Sequence, residues 1–145
     1  MVQFTLEHMI FSTFLVGFLI FTSVFAIQYA GAQSQAALMV ELRNTVLLVK
    51  QELLDAYRAA NATQASDFVV PLTVPRTIQG KPYSIYLSAN GTLRGVVGQI
   101  RFETQLPAIS NCVWGESSFR SSGSTIRIAA EYVTDARTVT VSISS

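Results

Sequence analysis

The chain has 145 residues, of which half are hydrophobic and only 13% are charged. A soluble domain carries about 25% charged residues, so a fully solvated domain accounts poorly for this composition. The net charge is +1 without any basic run, which gives nucleic-acid binding no electrostatic support. The single cysteine, Cys112, excludes an intrachain disulfide and a thiolate metal cage.

The hydrophobic excess lies near the N-terminus, where the 32 residues from Met9 to Val40 include no charged side chain. As a helix this segment would extend about 48 Å, and Met9–Ala32 alone would cross the ~30 Å hydrocarbon core of a bilayer. It is too long for the apolar part of a secretory signal, which has about 7–15 residues. Basic residues follow the segment and favour a cytoplasmic C-terminal part, unless a basic leader has been removed upstream. They are Arg43, Lys50 and Arg58.

One continuous helix is predicted over residues 1–60, first as a membrane span and then as an amphipathic stalk. No proline interrupts it before Pro71. Two lines of side chains with seven-residue spacing follow its whole length, which is typical of a helix that packs against other helices. The first line consists of Phe11, Phe18, Phe25, Ala32, Met39, Val46, Leu53 and Ala60. The second consists of Phe14, Phe21, Gln28, Gln35, Leu42, Val49 and Ala56.

A further line on this helix contains only small residues, four apart: Thr22, Ala26, Ala30 and Ser34. Small residues let apolar helices approach closely, which favours helix association over a single span with ordinary small-residue content. Glu7 lies at the edge of the apolar segment, where a carboxylate is costly if it enters hydrocarbon. It is either an interfacial residue or the partner of a neighbouring subunit's N-terminal amine. His8 is interpreted as interfacial.

Residues 61–145 form a predicted β head, because the apolar pattern changes there to a period of two. Five strands are predicted: Tyr83–Ser88, Thr92–Val97, Gln99–Gln105, Thr125–Val133 and Arg137–Ile143. Asn90-Gly91 predicts a two-residue hairpin turn, Thr134–Ala136 a second hairpin, and Ser110–Ser124 a long exposed loop. The predicted fold class is therefore α+β, with a long N-terminal helix (1–60) carrying a small antiparallel β-sandwich or barrel (61–145).

Two N-glycosylation sequons, Asn61-Ala62-Thr63 and Asn90-Gly91-Thr92, fall in predicted turns. Asn90 has a competing explanation as the turn residue itself. The head offers no catalytic pair, because the only histidine is His8. No phosphate-binding loop or metal-spaced cluster occurs in the sequence, and Cys112 beside Trp114 is interpreted as a packed thiol. We therefore predict a protein without catalytic residues, cofactor or metal.

The segment Gln3-Phe4-Thr5-Leu6-Glu7, followed by a long helix and a β head, resembles the archaeal type IV pilins with class III signal peptides. The segment Val74–Ile85 also resembles the first head strands of archaeal pilin-like proteins. The resemblance implies that Gln3 begins the mature chain after cleavage of a basic leader by prepilin peptidase. It also implies that Glu7 pairs with a neighbour's N-terminus during assembly. Only Met1-Val2 precedes Gln3 in this sequence.

The sequence therefore predicts a structural subunit of an extracellular, pilus-like filament for surface adhesion, with bundled helices in the core and β heads outside. Its expected partners are copies of itself, the cytoplasmic membrane before assembly, and the prepilin peptidase and assembly machinery that the resemblance implies. The alternative is a membrane-anchored accessory protein of a pilus or archaellum that binds the cell envelope. The residues predicted to act in assembly are Gln3, Glu7, Phe11, Phe14, Phe18, Phe21, Phe25, Ala26, Ala30 and Ser34.

Overall fold

The computed structural model of the chain describes residues 2–121 and 125–144, with side chains from Glu7 onward. A single helix, α1, extends over Val2–Thr63, as the sequence predicts. Gln64 follows it with a positive φ of 52°, the left-handed conformation in which helices commonly end. By length and composition, α1 contains a stretch that could cross a membrane.

The chain divides into two compact units, Met1–Ala37 and Leu38–Ser145, here called the N-terminal unit and the C-terminal unit. The first half of α1 belongs to the N-terminal unit. The second half belongs to the C-terminal unit together with all the strands. The sequence-based division between residues 60 and 61 separates the helix from the strands by secondary structure and stays a prediction.

The C-terminal unit contains two four-stranded sheets, which confirms the α+β class. The strands are β1 (Phe68–Thr73), β2 (Ser84–Leu87), β3 (Thr92–Val97), β4 (Ile100–Gln105), β5 (Cys112–Trp114), β6 (Ser117–Arg120), β7 (Thr125–Val133) and β8 (Thr138–Ser144). Sheet I has the order β1-β7-β8-β5 and sheet II the order β4-β3-β2-β6. All the pairs are antiparallel except β5–β8, which is parallel.

Alternating burial along the strands shows which face of each sheet is turned inward. In β7, for example, Ile126, Ile128 and Ala130 are buried, whereas Arg127 is exposed. The inward residues of both sheets and one face of α1 belong to a single hydrophobic cluster. The period-two pattern in the sequence therefore reports the core face correctly.

The second half of α1 packs against the central strand β3 of sheet II at Gly95. A Cβ placed on Gly95 would collide with Val46 Cγ2 and lie 2.9 Å from Leu42 Cδ1. Both helix side chains are fully buried, and burying a Leu or Val stabilises a fold by about 1.5–3 kcal/mol. Glycine at this position therefore makes room for the helix.

This packing corrects one interpretation of the seven-residue lines. Beyond residue 40, five members of the lines (Leu42, Val46, Val49, Leu53 and Ala60) are fully buried within the chain itself. In this part of the helix, the apolar residues of the two lines pack in the core with the chain's own strands. Their spacing therefore carries no information about neighbouring subunits. The members of each line in the N-terminal unit are exposed within the described residues, and so is Met39 at the start of the C-terminal unit.

Three strands correct the sequence-based boundaries. β5 and β6 lie inside the predicted loop Ser110–Ser124. Each strand contributes a buried aromatic residue, Trp114 or Phe119. The surrounding Ser, Gly and Asn residues are typical of loops, so the sequence did not indicate these strands. Residues 122–124 of that loop lie outside the described residues. β1 was not predicted, since Pro71 interrupts its apolar run; it is an edge strand, where proline is tolerated. β1 also precedes the segment Val74–Ile85 that resembles the first head strands.

The hairpins are confirmed, but one turn differs from the prediction. Between β2 and β3, Gly91 N donates to Ser88 O at 2.9 Å and Ser88 N donates to Thr92 O at 3.0 Å. The loop therefore has three residues instead of two, with Gly91 in the left-handed region at φ 79°. The β7–β8 hairpin forms where the sequence places it.

The contact at Gly95 generates a stability prediction. Gly95→Ala should lower the free energy of unfolding by about 1–3 kcal/mol, because the added methyl overpacks the helix–sheet contact. Val46→Ala removes the methyl group that the new Cβ would meet, so the double variant should be less destabilised than the sum of the two single variants. Trp114 fluorescence of the full chain in mild detergent during denaturation measures both effects. Gly31→Ala, which adds the same methyl in open space, is the matched control, and additive effects of Gly95→Ala and Val46→Ala would contradict the contact.

Candidate functional site: the apolar helix surface

The N-terminal unit presents an apolar helix that nothing in the described chain covers. The five phenylalanines predicted to act in assembly are 58% to 72% exposed. They are Phe11, Phe14, Phe18, Phe21 and Phe25. Ala26, Ala30 and Ser34 are exposed as well. A helix that is apolar on all sides is normally buried in a protein core or in a membrane, so this surface is suited to a non-aqueous environment or to other helices.

Helical geometry sorts these residues into two adjoining surfaces. Successive helix residues are rotated by about 100°, so the five phenylalanines fall within a sector about 80° wide. We call this sector the phenylalanine ridge. The line from Thr22 to Ser34 covers the next sector, about 120° wide, which we call the small-residue face. One helix thus carries a bulky surface beside a surface on which another helix can approach closely.

Some polar side chains of this unit are hydrogen-bonded to the helix backbone, and others have no hydrogen-bond partner. Four hydroxyls donate to backbone carbonyls one turn earlier, at 2.7 to 3.1 Å. They belong to Ser12, Thr13, Thr22 and Ser23. The amides of Gln28 and Gln35 have no hydrogen-bond partner among the residues that the structure describes. In an apolar environment an unpaired amide is costly, so a partner helix that bonds these amides would be favoured.

Glu7 lies in the same sector as the phenylalanine ridge, by the same rotation per residue. Its side chain is exposed and makes no ion pair with any residue in the described ranges. His8 beside it is exposed too. The backbone of Gln3 belongs to α1, but the Gln3 side chain lies outside the described residues.

The Asn90 sequon lies in a structured, exposed turn. Asn90 Oδ1 accepts a hydrogen bond from Thr92 N at 3.0 Å, which is an Asx turn. Thr92 Oγ1 donates to Gln105 Oε1 at 3.1 Å, and Gln105 Nε2 donates to Asn90 O at 2.9 Å. The Asn90 amide nitrogen makes none of these bonds and lies at an exposed residue.

The Asn61 sequon lies in the last turn of α1, where the sequence had predicted a non-helical turn. Asn61 Oδ1 accepts a hydrogen bond from Asn111 Nδ2 at 3.0 Å, and Asn111 Oδ1 accepts one from Tyr57 OH at 2.5 Å. Thr63 Oγ1 donates to Ala59 O at 2.8 Å. Residues two apart on a helix do not share a face, so the Asn61 and Thr63 side chains point apart.

Cys112 lies on the inward face of β5, opposite Val139 of β8. Burial raises the pKa of its thiol to about 11, as desolvation disfavours the thiolate. A groove of about 550 Å³ opens beside it, bordered by Asn90, Leu106 and Trp114. Within the described ranges, no group of three His, Cys, Asp or Glu side chains could hold a metal ion.

Sequence reasoning missed one surface of the C-terminal unit, the outward face of sheet II. Arg94, Arg101 and Arg120 all lie on it, although they come from three different strands. Counting alternate positions on β3 and β4 would have placed Arg94 and Arg101 on one face. β6 could not be added, because its residues were assigned to a loop.

Comparison of the chain with protein-family models, with curated proteins and with solved structures finds no match.

The two sequons lead to a prediction about modification. In a host that N-glycosylates the exported chain, Asn90 should carry glycan in preference to Asn61, because it lies in an exposed turn and not on a helix. Mass spectrometry of the wild-type chain, with Asn90→Gln and Asn61→Gln as matched variants, measures this. Loss of the glycan mass only in Asn61→Gln would contradict the prediction.

The buried thiol leads to a second prediction. At about pH 8 a rise of about two units in the pKa leaves about a hundredfold less thiolate, so Cys112 should react about a hundredfold more slowly folded than unfolded. The folded-state rate should increase about tenfold per pH unit up to about pH 10. Absorbance assays with a thiol-specific reagent, with and without denaturant, test this. Equal rates in the two states would show that Cys112 is open to solvent.

Proposed function

We propose that this protein is the structural subunit of an extracellular, type IV pilus-like filament, with its helices bundled in the core and its β heads outside. The observation that carries the proposal is the uncovered apolar surface of the N-terminal unit. The phenylalanine ridge and the small-residue face are different surfaces of one helix. Their pairing between copies is therefore heterologous, and a heterologous contact that does not close into a ring generates a filament.

The packing chemistry supports this arrangement. A ridge of phenylalanines from one copy fits the small-residue face of the next, where Ala26, Ala30 and Ser34 leave space for close approach. Gln28 and Gln35 gain hydrogen-bond partners in such a bundle. The resemblance around Gln3 and Glu7 adds that the Glu7 carboxylate pairs with a neighbour's N-terminal amine. Before assembly, the same apolar helix lies in the cytoplasmic membrane.

A second candidate is a membrane-anchored accessory protein of a pilus or archaellum that binds the cell envelope. The core of the C-terminal unit favours it, because the inward faces of both sheets and one face of the second half of α1 form a single buried cluster without a neighbour. The two candidates differ in where the chain is found. A filament subunit is abundant in fibres sheared from cells, whereas an accessory protein stays in the membrane at low copy number.

Electron microscopy of sheared surface material, combined with mass spectrometry, tests the filament. We expect the chain in the fibres, and we expect its amount there to decrease about tenfold or more in Glu7→Ala and in Ala30→Leu. Glu7→Ala removes the proposed partner of the N-terminal amine, and Ala30→Leu fills the small-residue face. In both variants the protein should accumulate in the membrane.

Two control variants make this experiment specific. Glu52→Ala removes a carboxylate from the part of α1 in the C-terminal unit, and Val24→Leu enlarges a side chain outside both helix sectors. Both should assemble at the wild-type level. Fibres without this chain, or Glu7→Ala fibres at the wild-type level, would argue against the filament subunit.

A further inference from the structure

The outward face of sheet II carries three of the basic residues of the β head. Residues 61–145 contain seven Lys or Arg and five Asp or Glu, a net charge of +2. Three arginines and one glutamate project from the strands of this face, and Glu116 borders it, which leaves the face with a net charge of +1. The outward face of sheet I carries one of each, Arg127 and Glu131, and is neutral. Charge therefore distinguishes the two faces.

Strand register arranges the outward face of sheet II in two neighbouring rows. The first row consists of Arg101, Val96, Ser84 and Arg120, in the order β4-β3-β2-β6. The second row consists of Glu103, Arg94, Tyr86 and Ser118. Strands lie about 4.8 Å apart, so Arg101 and Arg120 are about 14 Å apart at their backbones. No small anion spans that distance, whereas an extended polyanion does.

The second row adds an aromatic platform and hydrogen-bonding groups. The Tyr86 ring is 40% exposed in the interior of the sheet. Beside it, Arg94 Nε donates to Glu103 Oε1 at 2.6 Å, which holds the donor and the acceptor in place. Glu116 and Ser118 border a depression of about 390 Å³ next to Tyr86 and Arg94. An exposed ring surrounded by both donors and acceptors suits a sugar ring, which has apolar faces and hydroxyl edges.

We propose that this face binds an acidic polysaccharide, with a sugar ring stacked on Tyr86 and its acidic groups paired with Arg101 and Arg120. Single-stranded nucleic acid is the competing polyanion, since it also combines stacking with charge pairing. The two carboxylates favour the polysaccharide, because Glu103 and Glu116 accept hydrogen bonds from the free hydroxyls of its sugar rings, whereas a nucleic-acid backbone offers few such donors. The inference does not depend on filament assembly.

The test measures binding by the full chain, dispersed in mild detergent, to polygalacturonate, with dextran as the uncharged comparison. We expect binding to polygalacturonate that weakens as the ionic strength rises, and weaker binding to dextran. The double variant Arg101→Gln/Arg120→Gln should bind about tenfold more weakly. Tyr86→Ser should lose about fivefold, and Tyr86→Phe should bind as the wild type does, because it keeps the ring.

The matched control is Arg127→Gln/Arg137→Asn, which removes the same charge from sheet I and its hairpin. Asparagine is used because Arg137 has a positive φ of 52°, which asparagine tolerates. Wild-type affinity in this control supports the proposal, and an equal loss in both double variants overturns it. Tighter binding to single-stranded oligothymidylate than to polygalacturonate at the same ionic strength also overturns it and identifies a nucleic-acid surface. Thermal denaturation checks that every variant is folded.

Discussion

The C-terminal unit depends on the absence of a side chain at Gly95. Because β3 has no Cβ there, Leu42 and Val46 of α1 lie directly on the centre of sheet II. Lys50, two turns beyond Leu42, donates to Thr104 Oγ1 at 3.2 Å and to Gln105 O at 2.7 Å, which fixes the helix along β4. The Arg43 guanidinium lies 6.0 Å from the centre of the Phe102 ring on the same strand. The close approach of α1 to the central strand β3 is therefore reinforced by contacts of Lys50 and Arg43 with the edge strand β4.

This arrangement gives the two halves of α1 different roles. In the second half, one apolar face of the helix is buried in the same core as the chain's own strands. In the first half the same spacing of apolar residues continues with nothing to cover it. A seven-residue pattern states only that a helix has an apolar face. What covers that face depends on residues distant in sequence, such as Gly95.

The regular elements could be predicted because local periodicity encodes them. The helix and the strands β3 and β7 follow from apolar spacing, and Asn90-Gly91 marks the first hairpin. β1, β5 and β6 could not be predicted, since each is short or contains residues typical of loops. Trp114 and Phe119 join the core only because β8 and β2 are there to pair with. The phenylalanine ridge was predictable, and so was the shared face of Arg94 and Arg101 on the adjacent strands β3 and β4. Arg120 joins this face only through the non-local pairing of β6 with β2.

Pro71 in β1 affects whether a strand from another chain can add to the edge of sheet I. The four outer strands of the two sheets, β1, β5, β4 and β6, each expose a row of backbone groups to which another chain could add a strand. Pro71 lacks an N–H and so interrupts that row on β1. β5 and β6 have only three and four residues, and Lys50 occupies the carbonyl oxygen of Gln105 on β4. The edges of the two sheets therefore offer a strand from another chain only short or interrupted rows of backbone groups.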